Sequence, residues 1–159
     1  MKEELSRNPE NWKEKPKKEL IDFIISQFHL SFKERLPKLL FFADKVENVH
    51  SENEDCPRGL ASVLQNLSLF IIDHIKHDEE NLFSLLSKER SENADSFIES
   101  AKNDYTNIKE QLKSIRHIVN DYKTPAGACG TWTFLYQQLE ILEKDIEDYI
   151  NLEENILFS

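Results

Sequence analysis

Apolar side chains recur along this chain at alternating steps of three and four residues, the spacing that lines one face of an α-helix. Four stretches carry the pattern. The first holds Ile25, His29, Phe32, Leu36, Leu39 and Ala43, and the second Leu60, Leu64, Leu67, Ile71, His74, Asp78 and Leu82. The third runs through Ile98, Ala101, Tyr105, Ile108, Leu112, Ile115, Val119 and Tyr122. The fourth holds Leu135, Leu139, Leu142, Ile146, Tyr149, Glu153 and Ile156. Turn-forming composition separates them at 48–58, 88–93 and 123–130, which predicts helices near 17–48, 58–87, 94–122 and 131–157. Pro16 suits a first helical turn, and Pro37 predicts a kink or restart in the first helix. Residues 1–15 read as an N-terminal extension and 16–159 as one domain, an all-α, up-and-down antiparallel four-helix bundle.

Each buried stripe carries a polar intruder. In an up-and-down bundle, residues at one height on consecutive helices lie equally far from the intervening turn, so their mean sequence number falls inside that turn. The pairs His29 and His74, His74 and Tyr105, and Tyr105 and Tyr149 each satisfy this for the three expected turns. Asp78 and Glu153 follow His74 and Tyr149 by four residues, one turn along the same face. The central layers are therefore expected to hold His29, His74, Asp78, Tyr105, Tyr149 and Glu153. Two carboxylates buried among Ile and Leu cost several kcal/mol per uncompensated ion, and a bridged metal pair is the compensation bundle cores often use.

Composition narrows the function classes. With only 3 Gly and 5 Pro against 39% hydrophobic and 31% charged residues, the chain suits long amphipathic helices better than a many-turned β fold. A formal charge of -10 opposes nucleic-acid backbones and anionic membrane surfaces, so neither partner is expected. The apolar runs are too short for a membrane span and the start lacks a signal-peptide core, which predicts a cytoplasmic protein. Two cysteines, Cys56 and Cys129, fit a reducing compartment and match no zinc spacing. Hydrolase, nucleotide-binding and thioredoxin-like readings find no motif.

Longer runs carry a resemblance. PENW at 9–12, FH at 28–29, LP at 36–37, KVENVH at 45–50, CPRGL at 56–60, EENLF at 79–83, TPAGACGTW at 124–132 and LEENILF at 152–158 are similar to the repair-of-iron-centres branch of the hemerythrin-like proteins. The resemblance implies a di-iron centre of two non-haem, oxo-bridged ions, held by four histidines, one per helix, and two bridging glutamates. It also implies association with recovery of iron-sulfur proteins damaged by nitric oxide or oxidants. Carried over by position, His29, His74 and Glu153 match; Asp78 stands where a glutamate is expected, and Tyr105 and Tyr149 where histidines are expected. The short N-terminal domain with adjacent cysteines that many members have finds no counterpart in this sequence.

Two readings of the tyrosines stay open. Phenolate is a hard anionic ligand suited to ferric iron, whereas two phenols hydrogen-bonded to Asp78 and Glu153 would complete a polar network without metal. His77, three residues after His74, is a spare ligand on one reading and a surface histidine on the other; the acidic run at 78–80 reads as solvated apart from Asp78. His50 lies 21 residues beyond His29, roughly 30 Å along a helix, and shares the bundle end with Cys56 and Cys129, where a thiol pair or small secondary metal site is an alternative to three unrelated surface residues. The leading function is iron binding in the stress response, with O2, NO or peroxide and damaged iron-sulfur proteins as partners and a homodimer as an allowed assembly. The competing classes are a metal-free helical interaction module and a tyrosinate-iron oxidase or peroxidase-like enzyme.

Overall fold

Pro16 takes up an extended conformation (φ -57°, ψ 141°), and the chain turns from it directly into helix. The computed structural model describes residues 7–87 and 92–159, so the expected turn at 88–93 falls mostly outside the described residues. Helix α1 comprises Lys17–Ile24, a wider π turn at Ile25–His29, and Leu30–Val49. Helix α2 comprises Leu60–His77, a π turn at Asp78–Leu82 and Phe83–Leu86. Helix α3 is Glu92–Ile118, and α4 is Gly130–Leu152 continued by a π turn at Glu153–Leu157. A short 3-10 turn, Pro9–Trp12, precedes α1, and its buried Trp12 packs on Phe23 with ring centroids 4.9 Å apart.

The helices form the expected all-α bundle. Helix α1 packs against α2 and α4, and α2 against α3. The backbones of α3 and α4 stand further apart, leaving an open groove of about 690 Å³ lined by Lys109, Lys113, Glu147 and Asn151 among others. Arg116 ties the two together, its guanidinium reaching Glu143 through Nε at 3.2 Å and Nη2 at 2.5 Å. The predicted stripes line the interior: Leu36, Leu60, Leu64, Leu67 and Leu135 are fully buried, each worth about 1.5–3 kcal/mol relative to exposure. Among the described residues, no helix is long and apolar enough to cross a membrane.

Two boundaries differ from expectation. Pro37 does not restart α1, which runs unbroken from Leu30 to Val49. The proline is exposed, so the carbonyl of Lys33 that loses its intrahelical donor is left on the solvent side, where water can serve it. Helix α3 ends at Ile118 rather than at Tyr122, because Asn120, Asp121 and Tyr122 take φ values of 51°, 55° and 62°. Asn and Asp tolerate this left-handed region better than most residues. Val119 and Tyr122 stay buried, but from a turn, with the Arg116 guanidinium 5.0 Å from the Tyr122 ring centre.

The start of α2 explains one quoted motif. Gly59 precedes the helix at φ +89°, where a side chain would be strained. Glu47, from the KVENVH run of α1, accepts hydrogen bonds from the backbone N–H of Gly59 and, at 3.0 Å, of Ala61. A side chain from the neighbouring helix thus caps α2 in place of a local Ser or Asp. Glu47→Ala is expected to lower unfolding free energy by about 1–2 kcal/mol, read as a reduced urea midpoint at unchanged m-value; an unaltered midpoint would show that the cap contributes nothing.

Candidate metal centre

Each of the three π turns contains one of the buried polar residues: His29 ends the first, Asp78 begins the second and Glu153 begins the third. A π turn inserts one residue into the α-helical phase, so neighbours in sequence can both face inward, and such insertions are frequent at functional sites. Phe28 with His29, Leu82 with Phe83, and Leu152 with Glu153 are adjacent buried pairs at these turns. Tyr105 and Tyr149 project from regular α-helix.

The structure brings all six residues nominated from the sequence into one buried layer. His29, Tyr105 and Glu153 are 0% exposed, Asp78 1%, and His74 and Tyr149 2%. Tyr149 donates from its hydroxyl to Asp78 Oδ2 at 2.7 Å, and the same hydroxyl lies 3.1 Å from His29 Nε2. Tyr105 donates to Glu153 Oε1 at 2.7 Å. His74 Nε2 lies 3.1 Å from Asp78 Oδ2 and 3.4 Å from Glu153 Oε1, and His29 Nε2 lies 3.8 Å from Asp78 Oδ2. Ligating atoms of His74, Asp78 and Glu153 all fall within 4.8 Å of one another.

Two carboxylates that the sequence reading missed complete the arrangement. Asp104 Oδ2 lies 3.0 Å from His74 Nδ1, and Glu79 Oε1 lies 3.3 Å from His29 Nδ1, although off the line of a good hydrogen bond. Glu79 also pairs with Lys33 at 3.3 Å, so it is not the freely solvated residue expected of the 78–80 run. Both histidines therefore turn Nδ1 to an outer carboxylate and Nε2 to the centre, the orientation by which metal-bound imidazoles are commonly held. The available signal was the demand of each buried imidazole for a second partner.

The layer's charges are strongly coupled. Burial pushes the Glu153 carboxyl up, but hydrogen bonds from His74 and its other neighbours outweigh this and hold it at about 2. Burial and the nearby Glu153 charge push Asp78 well above the usual carboxylate range. Burial opposes the charged form of His74, yet Asp78, Asp104 and Glu153 together raise it well above 6.5; for His29 burial prevails and lowers it. Burial, followed by the two carboxylates, raises both phenols well above 10. Without a cation the arrangement favours one shared negative charge on the carboxylate pair, balanced by His74.

The donor set is chemically suited to iron. It offers two imidazoles, two carboxylates and two phenols and no thiolate, a mixture that favours transition ions with hard-oxygen affinity. Glu153 Oε2 is completely buried with no hydrogen-bond partner, an expense that a cation would remove.

The secondary candidates behave differently. His77 is exposed, 3.5 Å from Asn81 Nδ2, and borders a cavity of only about 10 Å³ beside His74, Asp78 and Asp104. His50 and Cys129 do meet, with Nε2 3.3 Å from Sγ. Cys56 does not join them as a metal ligand: its buried thiol donates to the carbonyl of Glu47 at 3.6 Å, and among the described residues these three form no shared ligand cluster.

Comparison with known proteins gives the family. Residues 20–159 match the model of the hemerythrin HHE cation binding domain. Similar curated proteins include the iron-sulfur cluster repair protein YtfE of Yersinia pseudotuberculosis serotype IB (strain PB1/+) and that of Yersinia pestis (strain Pestoides F). Each is 34% identical over 149 residues, spanning 94% of this chain and 67% of the relative. The chain belongs to the hemerythrin HHE family, in the repair-of-iron-centres branch that its motifs resemble.

The hydroxyls of Tyr105 and Tyr149 each satisfy a buried carboxylate. In metal-free protein Tyr105→Phe and Tyr149→Phe should each cost about 1–3 kcal/mol, measured by urea unfolding. A loss below a few tenths would show that the carboxylates find other donors.

Proposed function

We propose that this hemerythrin-family chain binds non-haem iron in the layer formed by His29, His74, Asp78, Tyr105, Tyr149 and Glu153, and serves iron-sulfur cluster repair in the cytoplasm during nitrosative or oxidative stress. The observation that carries the reading is the shared orientation of the two buried histidines, Nε2 to the centre and Nδ1 to an outer carboxylate at 3.0 and 3.3 Å. That arrangement aims each Nε2 at the place a cation would take, where it can ligate once its proton is displaced. The YtfE relatives supply the repair role, and damaged iron-sulfur proteins are the partners it implies.

Two ions are the number that the family resemblance implies. Tyr149 links Asp78 to His29, Tyr105 and His74 both meet Glu153, and the His74–Asp78 contact at 3.1 Å makes the donors one continuous group that such a pair would share. Bound iron would supply one-electron chemistry and coordination positions for nitric oxide, dioxygen or peroxide. The chain's own residues set the conditions. Asp78 and Glu153 provide negative charge, and the tyrosines, held as phenols by burial, release protons only in exchange for a cation. Phe83 stacks on His29 at 5.5 Å and Phe158 on Tyr105 at 6.3 Å, keeping water from the donors. The anionic oxygens favour ferric over ferrous iron.

A metal-free interaction module is the second reading, favoured by the two phenol–carboxylate hydrogen bonds at 2.7 Å that already satisfy much of the layer. An oxidase acting on an organic substrate is less well supported, since the cavity touching His74 and Asp78 has only about 10 Å³.

The test is anaerobic reconstitution with ferrous iron, oxidation, and an absorption spectrum. A visible phenolate-to-iron band is expected, weakened by Tyr105→Phe or Tyr149→Phe and abolished by the double variant. Full iron occupancy without the band would make the tyrosines bystanders, and failure to bind iron would favour the metal-free module. Separately, Asp104→Ala and Glu79→Ala should each weaken iron retention by about 10–100-fold in a chelator competition; unchanged retention would remove the histidine-orienting role.

A further inference from the structure

The bundle end formed by residues 50–59 and 119–129 carries a second cluster of reactive side chains. His50 follows the last residue of α1, and Cys129 occupies the position immediately before Gly130, the first residue of α4. Cys129 is exposed, makes no capping hydrogen bond to the helix, and has its Sγ 3.3 Å from His50 Nε2. The imidazole is fixed from another side by Trp132, whose ring centre lies 4.7 Å away at an angle of 35°. Trp132 itself is 1% exposed, so the ring that backs the imidazole is held in the core. The cluster therefore combines a reachable nucleophile, a proton acceptor in contact with it and held against a buried indole, and the positive end of a long helix.

The other cysteine supplies the contrast. Cys56 is buried, its thiol donates to the Glu47 carbonyl at 3.6 Å, and burial pushes that thiol up, away from its reactive form. One thiol is thus built to be inert and the other to be reached.

We propose that Cys129 and His50 form a thiol-modification site that takes low-molecular-weight disulfides. His50 Nε2 accepts the proton of the Cys129 thiol as Sγ attacks one sulfur of the disulfide. A new S–S bond forms between Cys129 and that sulfur, the original S–S bond breaks, and the departing sulfur takes up the proton from His50. Cys129 is oxidised and the departing thiol reduced, so no further oxidant is required. The site lies roughly 30 Å along α1 from His29 and does not rest on the iron reading.

The experiment exposes the full chain to glutathione disulfide and follows adducts by intact mass and peptide mapping. One glutathione adduct is expected on Cys129, with Cys56 unmodified while the protein stays folded. His50→Ala should slow adduct formation on the order of tenfold, with helix content unchanged by circular dichroism, and added imidazole should restore part of the rate. His50→Phe, which keeps a ring against Trp132, should be equally slow. A rate unaffected by either substitution, an imidazole-insensitive His50→Ala protein, or equal modification of Cys56 would overturn the proposal.

Discussion

Asp78 and Glu153 lie side by side in the middle of a bundle whose other interior positions are mostly aliphatic or aromatic, and both are almost wholly removed from water. Two carboxylates cannot both stay ionised there without compensation, because desolvation and mutual repulsion act in the same direction. The surrounding chemistry answers that constraint. His74 reaches both carboxylates, each tyrosine donates to one of them, and His29 adds a second imidazole. The remaining deficit, an unpartnered Glu153 oxygen, is the place where a cation would act.

The same constraint reaches into the backbone. His29, Asp78 and Glu153 all sit at π turns, where the added residue shifts the helical phase, and at His29 and Glu153 the preceding residue is buried as well. His29 and Glu153 thus enter the layer while the apolar residues beside them, Phe28 and Leu152, stay in the core. Glu79 follows Asp78 directly and reaches His29 on α1, so one short segment contributes both an inner and an outer carboxylate.

Much of this was legible in the sequence, for identifiable reasons. Bundle height follows from equal distances to a turn, which depends only on helix rise, so His29, His74, Tyr105 and Tyr149 could be set in one layer from their positions. Apolar spacing alone was misleading where backbone conformation intervened: Val119 and Tyr122 kept the spacing, but Asn120 and Asp121 reversed the chain. The π turns escaped a reading fixed at the α-helical period, because successive buried residues such as Tyr149 and Ile150 occur in regular α-helix too. Asp104 and Glu79 escaped because charged residues beside a core stripe usually face water, and only the second nitrogen of a buried imidazole points to them. The His50–Cys129 contact depended on a loop conformation, with Gly127 at φ +81°, that periodicity does not describe.

The central claim is that this layer is a cation site and not merely a closed hydrogen-bond network. Anomalous diffraction at the iron edge, from crystals of protein loaded with iron and never exposed to chelator, tests it most directly. Anomalous density is expected within the layer in contact with His74 Nε2, Asp78 and Glu153, with His29 and at least one tyrosine oxygen ligating the same ion or the second of the pair. Iron density only at the protein surface, with Tyr105 and Tyr149 still hydrogen-bonded to the two carboxylates, would contradict it.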